Sequence, residues 1–151
     1  MIVPNPDELG ISFYATASNG ANTILLARID REYSALFFVD NSTHNVTNTV
    51  PILDMKYPGK KMHLSANGTI NIAAVKRDGH TKKEIAYSPD NGANWTYTDI
   101  SGENIQGYAR NCDISFPDDN TGFFTGWDNE YDKAYIYKTT NAGATWSKIV
   151  I

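Results

Sequence analysis

The chain has 151 residues, 41% of them hydrophobic and 20% charged, and its 13 basic and 17 acidic side chains give a net charge of −4. This size and composition predict one soluble globular domain, residues 1–151, with a sizeable core. The acidic balance excludes a typical nucleic-acid-binding protein, and no apolar run approaches the roughly 20 residues that span a bilayer. Residues 1–15 lack the features of a secretory signal, so a cytoplasmic location is the default expectation.

Abundant Tyr, Thr, Asn and Gly indicate strands joined by tight turns, which predicts an all-β fold. In the first part of the chain, residues 2–4 lead through a turn into a strand that begins near Ile11. Further strands are predicted at residues 23–27 and 35–39. Residues 28–34 would join these two strands as a hairpin, as a decayed counterpart of the turn motif that recurs later in the chain, with its Asp kept but its Gly and Trp lost.

The next two parts of the chain repeat a unit of four predicted strands. In the second unit the strands are residues 62–65, 69–75, 85–87 and 96–98, and in the third they are residues 113–116, 121–127, 135–137 and 147–151. Four strands in about 50 residues match the blade of a β-propeller. The sequence therefore predicts three blades, at residues 1–57, 58–107 and 108–151.

An eight-residue motif recurs between the third and fourth strands of the second and third units, at residues 88–95 and 139–146. Each copy contains a hydroxyl residue, an Asp or Asn, a Gly and a Trp in register. These residues are Ser88, Asp90, Gly92 and Trp95, and then Thr139, Asn141, Gly143 and Trp146. The acid or amide can cap the turn, the glycine can supply a positive φ, and the tryptophan can pack where the next strand begins. These roles are structural.

The two motifs resemble the Asp-box, or BNR repeat, of sialidase-like and photosystem II assembly-factor-like β-propellers. The resemblance is closest over residues 113–151, is clear over residues 62–151, and extends to residues 1–61 as a degenerate blade. It implies a propeller in which the Asp-boxes are folding elements on the rim away from the ligand site. It does not by itself define a chemistry.

Three blades leave two sheet faces uncovered, whereas propellers close with four to eight blades. The sequence therefore predicts a homodimer in which two three-blade halves form a six-bladed ring. The alternatives are a fragment of a larger propeller and an irregular β-sandwich that carries Asp-box hairpins.

The candidate ligand-binding residues are aromatic, charged and planar polar side chains in loops opposite the Asp-boxes. They are Arg77, His80, Tyr108, Arg110, Trp127, Asp128 and Tyr131. Such side chains recognise both sugars and proteins, so we predict a non-catalytic glycan- or protein-binding module. The alternative for Trp127 and Tyr131 is packing between blades.

A sialidase-like glycoside hydrolase is the alternative function. The chain has only four arginines for the cluster that the resemblance would require, and residues 27–30 match the Phe/Tyr-Arg-Ile-Pro motif only in Arg-Ile. The three histidines and the single Cys112 are dispersed, so no metal or cofactor is predicted, and Cys112 is expected to be buried. Residues 128–132 have the carboxylate spacing that opens a calcium loop but lack its glycine and distal glutamate.

Overall fold

The computed structural model describes residues 10–77, 83–100, 112–127 and 134–150. Within these ranges the chain forms twelve β-strands and no helix, which confirms the all-β prediction. The strands are arranged as three four-stranded antiparallel sheets, each a meander in chain order. None of the described residues forms a helix with the length and apolar character needed to cross a membrane.

The strands of the first sheet are β1 (Ile11–Ser18), β2 (Asn22–Ile29), β3 (Tyr33–Asp40) and β4 (Val46–Ile52). Those of the second sheet are β5 (Lys61–Leu64), β6 (Ile70–Val75), β7 (Glu84–Ser88) and β8 (Thr96–Asp99). Those of the third sheet are β9 (Asp113–Ser115), β10 (Gly122–Trp127), β11 (Ala134–Thr139) and β12 (Ser147–Ile149).

The prediction for the first unit was wrong in its strand order. Ile11 begins the first strand of the sheet rather than the second, and β4 is a strand that the sequence reading missed. Residues 28–34 therefore contain the β2–β3 turn and are not the counterpart of the two repeated motifs. The reason is that β4 is an edge strand, so it tolerates Pro51 and polar side chains that resemble a loop in the sequence. Residues 2–4 lie outside the described residues.

The three sheets meet along their first strands, since β1 contacts β5 and β5 contacts β9. The fully buried side chains of Ile24, Leu26 and Leu36 in the first sheet pack against Ile70 and Ile72 in the second. Each such side chain contributes about 1.5–3 kcal/mol through burial. The arrangement is blade-like, with the second sheet covered on both faces.

A separate core lies between the second and third sheets. It joins Ile85 of β7 to Ile114, Phe124 and Trp146 of the third sheet. Cys112 is buried in the same core, as the sequence predicts.

The other face of the first sheet is apolar. Ala27, Ile29 and Ala35 are buried there under Phe37 and other side chains. Phe13, 63% exposed, contacts Phe37 edge to face with the ring centroids 6.2 Å apart. This face carries hydrophobic side chains that no described residue covers completely.

Candidate functional site

The stack of sheets has two rims of different charge. One rim, which we call the turn rim, carries the repeated motifs in the β7–β8 and β11–β12 connections, and its described loops at residues 19–21, 41–45, 65–69, 89–95, 116–121 and 140–146 contain no Lys or Arg. The opposite rim, which we call the basic rim, includes the β2–β3 turn, the linker between the first two sheets, and the facing ends of β6 and β7. In these segments the basic residues outnumber the acidic residues Asp30, Glu32, Asp54 and Glu84; the basic ones are Arg28, Arg31, Lys56, Lys60, Lys61, Lys76, Arg77 and Lys83. Anionic ligands are therefore expected at the basic rim.

The first repeated motif is closed by its own side chains. The Ser88 hydroxyl accepts the Gly92 amide at 2.9 Å, and the Asp90 carboxylate accepts the Asn94 amide at 2.9 Å. Gly92 has φ +86°, and an added Cβ would lie 2.7 Å from Leu36 Cδ1 of the first sheet. The motif therefore shapes the turn and seats it on the preceding sheet.

The second motif repeats this geometry on the second sheet. Thr139 Oγ1 accepts the Gly143 amide at 3.0 Å, and Asn141 Oδ1 accepts the Thr145 amide at 3.0 Å. Gly143 has φ +97°, and an added Cβ would overlap the Asn71 side chain of β6. Its polar groups are thus used within the protein.

The tryptophans of the two motifs differ in burial. Trp146 is buried between the second and third sheets, whereas Trp95 is half-buried and donates from Nε1 to the Gly92 carbonyl at 2.9 Å. Both pack against the core that joins their own sheet to the preceding one.

Only one of the predicted ligand-binding side chains is described by the structure, and that is Arg77. Trp127 ends β10, but its side chain lies outside the description. The remaining candidates also lie outside the described residues: His80, Tyr108, Arg110, Asp128 and Tyr131. The same is true of the calcium-loop pattern at residues 128–132. Among the described residues, no three His, Cys, Asp or Glu side chains are grouped as a metal ion would require.

Arg77 is engaged by neighbouring side chains. Its Nε and one terminal NH₂ donate to the two Glu84 carboxylate oxygens, each at 2.7 Å. Its Cζ lies 4.4 Å from the centroid of the Tyr97 ring, and the Tyr97 hydroxyl donates to Asp54 at 2.8 Å. The Glu84 hydrogen bond raises the pKa of Arg77, and burial, followed by the Asp54 hydrogen bond, raises that of Tyr97. Arg77 therefore remains cationic and cross-links β6 to β7.

A second group of cations and an aromatic ring was not identified from the sequence. Arg28 Cζ lies 4.4 Å and Lys76 Nζ 5.5 Å from the centroid of the Tyr57 ring, which is 43% exposed. In the sequence, Arg28 is notable only as one of four arginines and for the partial Arg-Ile match at residues 27–30. Its contact with Tyr57 depends on how the linker between the first two sheets folds back, which no local pattern reveals.

An open groove of about 450 Å³ runs between the first strands of the first two sheets. Its lining comprises Phe13, Tyr14, Ala15, Thr16, Lys60, Lys61 and Met62. The Lys61 ammonium also lies 3.7 Å from Asp113 of the third sheet, in an exposed ion pair. The groove thus combines aromatic and cationic side chains next to the basic rim.

His63 serves packing between the second and third sheets. Its ring stacks on that of Phe116, with centroids 4.3 Å apart, and Phe116 contacts the Trp146 ring edge to face. Burial lowers the pKa of His63 below its usual 6.5, so the ring is held neutral at pH 7.

In comparisons with known proteins, no family model matches the chain and no curated protein matches it significantly.

Asp40, on the turn rim, is expected to make the free energy of unfolding fall at acidic pH. Its Oδ1 accepts the Ser42 hydroxyl at 2.6 Å and the Ser42 and Thr43 amides at 2.8 Å each. These bonds, that of the Ser42 hydroxyl foremost, lower the pKa of Asp40 from 3.8 to about 2. Because the folded-state pKa lies below the unfolded value, the contribution is complete above about pH 4 and is lost as the pH falls towards 2.

The urea midpoint of the wild-type chain should therefore fall more steeply between pH 4 and pH 2 than that of Asp40→Asn. The amide at position 40 does not titrate, while every other carboxylate is common to both chains. Equal slopes in the two chains would contradict the assignment to Asp40.

Proposed function

We propose that this chain is an Asp-box β-propeller-type binding module without catalytic activity, and that its ligand is a glycan or a protein bound at the basic rim. The observation that carries the proposal is the exposed Tyr57 ring with Arg28 and Lys76 beside it. Aromatic rings next to cations are typical of ligand and partner hot spots. The two repeated motifs, by contrast, direct their polar groups to their own turns.

The hydrogen-bond partners of Arg77 and Arg28 favour a binding function over glycoside hydrolysis. Arg77 is held by both carboxylate oxygens of Glu84, and Arg28 donates to the Arg31 carbonyl at 2.9 Å. Arg77 is therefore poorly placed to join Arg28 in a cluster that grips a substrate carboxylate. A sialidase-like hydrolase remains the second candidate because of the Asp-box resemblance.

A glycan array and a fluorogenic sialoside assay on the full chain separate these two functions. We expect specific retention of the chain by a subset of glycans, or by a protein partner, and no turnover of the sialoside. Sialoside turnover that is abolished by a single Arg or Glu substitution would replace the binding proposal with the hydrolase.

We also propose that a second copy of the chain completes a six-bladed ring. The described strands form three separate sheets rather than the two packed sheets of a sandwich, and each internal contact joins opposite faces of successive sheets. The apolar outer face of the first sheet, with Phe13 and Phe37, continues this series. A second copy can cover it with the outer face of its third sheet, and two such contacts close the ring by two-fold symmetry.

Light scattering should therefore give a mass of about 33 kDa, twice the 16.7 kDa of one chain. The two contacts should bury on the order of 2,000 Å² in total, as obligate dimers do, and dilution should not yield folded monomers. Phe13→Glu should disrupt the dimer, whereas Leu53→Glu, at an exposed linker position, should leave it intact. A folded wild-type monomer at micromolar concentration would refute the six-bladed assembly.

A further inference from the structure

Tyr57 is held at the junction of the first two sheets by its backbone. Its N–H donates to the Lys76 carbonyl at 3.0 Å, and its carbonyl accepts the Lys76 N–H at 2.9 Å. Two residues earlier, the Ser34 hydroxyl donates to the carbonyl of Met55, whose side chain is fully buried. The backbone that carries the Tyr57 ring is therefore held in place before any ligand arrives, which reduces the entropic cost of binding.

Two cations from different sheets converge on this ring. Arg28 belongs to β2 of the first sheet, and Lys76 directly follows β6 of the second. Neither forms an ion pair with any residue that the structure describes, whereas Arg77 is paired with Glu84 and Lys61 with Asp113. Holding two like charges at one ring costs free energy, and an anion beside both would relieve that repulsion.

Arg28 also retains hydrogen-bonding capacity. One terminal NH₂ donates to the Arg31 carbonyl, while its buried Nε has no hydrogen-bond partner among the described residues. Buried donors are nearly always satisfied in native proteins, so this one calls for an acceptor. A guanidinium favours planar or multidentate oxygen anions, to which it can donate two parallel hydrogen bonds.

We infer that Tyr57, Arg28 and Lys76 form a binding site for the carboxylate or sulfate group of an acidic glycan. The assignment rests on the proposed binding function and names the chemical class of its ligand. An acidic peptide fits less well, because extended peptides bind largely through main-chain hydrogen bonds and the backbone groups of Tyr57 and Lys76 already bond to each other. A sugar residue, by contrast, can be bound by the cationic side chains and the exposed ring without any main-chain hydrogen bond.

Isothermal titration calorimetry on the full chain tests the site with three probes: a chondroitin sulfate tetrasaccharide, neutral maltotetraose and a hexaglutamate peptide. We expect the wild-type chain to bind the acidic tetrasaccharide in preference to the other two. Arg28→Gln and Lys76→Gln should each weaken that binding by about tenfold or more, as loss of a charge-assisted hydrogen bond does. Lys148→Gln is the matched control, because Lys148 lies 5.0 Å from the centroid of the Tyr135 ring on the third sheet, and the affinity of this variant should stay unchanged.

Other outcomes overturn the site in distinguishable ways. Wild-type affinity in both Arg28→Gln and Lys76→Gln would remove the site but leave glycan binding in place. Stronger binding of hexaglutamate would replace the glycan with an acidic peptide. If the chain binds only neutral glycans on the array, the ligand is not an acidic glycan but the proposed binding function stands. If the chain binds no glycan and no protein partner, the proposed function is overturned as well. If a variant unfolds, NMR of the wild-type chain tests the site instead. The resonances of the Tyr57 ring must then shift when the tetrasaccharide is added, and unchanged resonances would refute the site.

Discussion

Replacing Trp146 by alanine is expected to lower the free energy of unfolding by about 3–5 kcal/mol, the range for large aromatic truncations in a core. Trp146 is 8% exposed and contacts Phe116 edge to face in the core between the second and third sheets. Its removal leaves a cavity that the surrounding strands cannot fill. Urea unfolding at a fixed protein concentration measures the loss.

Two further substitutions test whether the lost free energy of unfolding comes from the removed side-chain volume. Trp95→Ala removes the equivalent ring of the first motif, which is only half-buried, and should cost less than Trp146→Ala. Trp146→Phe retains most of the ring and eliminates a buried Nε1–H that has no partner among the described residues, so it should also cost less. A loss below about 1 kcal/mol in Trp146→Ala would mean that this ring is not part of a core.

The strands of the second and third units could be predicted from the sequence because two local signals coincided there. Apolar residues alternate in runs such as Ile70 to Val75, and the repeated motifs mark the connection between third and fourth strands. In the first unit the β3–β4 loop has no such motif: Asp40 closes it through Ser42 and Thr43 instead. With that marker absent and Pro51 in the strand, only the β-branched residues of β4 indicated a strand, and this weaker signal was missed.

The candidate site was harder to predict, because its contacts join residues far apart in the sequence. Arg77 is a residue type that often binds ligands, yet it forms an ion pair with Glu84. Glu84 lies on the next strand, beyond a loop, so the pair is not evident from the sequence. Tyr57 becomes notable only when Arg28 and Lys76 are brought beside it from two different sheets. The local hydrophobic pattern indicates which face of a strand is buried. It does not indicate which cationic side chains lie beside the same aromatic ring.

Arg77→Met is expected to lower the free energy of unfolding by about 3 kcal/mol at pH 7, the low end of the range for breaking a buried ion pair from one side. The substitution leaves the Glu84 carboxylate, which is 6% exposed, without its two guanidinium hydrogen bonds. Methionine retains much of the aliphatic length, so the loss reports the charge more than the packing.

The matched control is Lys61→Met, which breaks the pair with Asp113. Both partners are more than half exposed and 3.7 Å apart, so the expected loss is below about 1 kcal/mol. Adding Glu84→Gln to Arg77→Met should restore part of the stability, since it removes the uncompensated buried charge. If Arg77→Met costs no more than Lys61→Met, then Glu84 does not depend on Arg77, and the guanidinium is as free to bind a ligand as the sequence alone suggests.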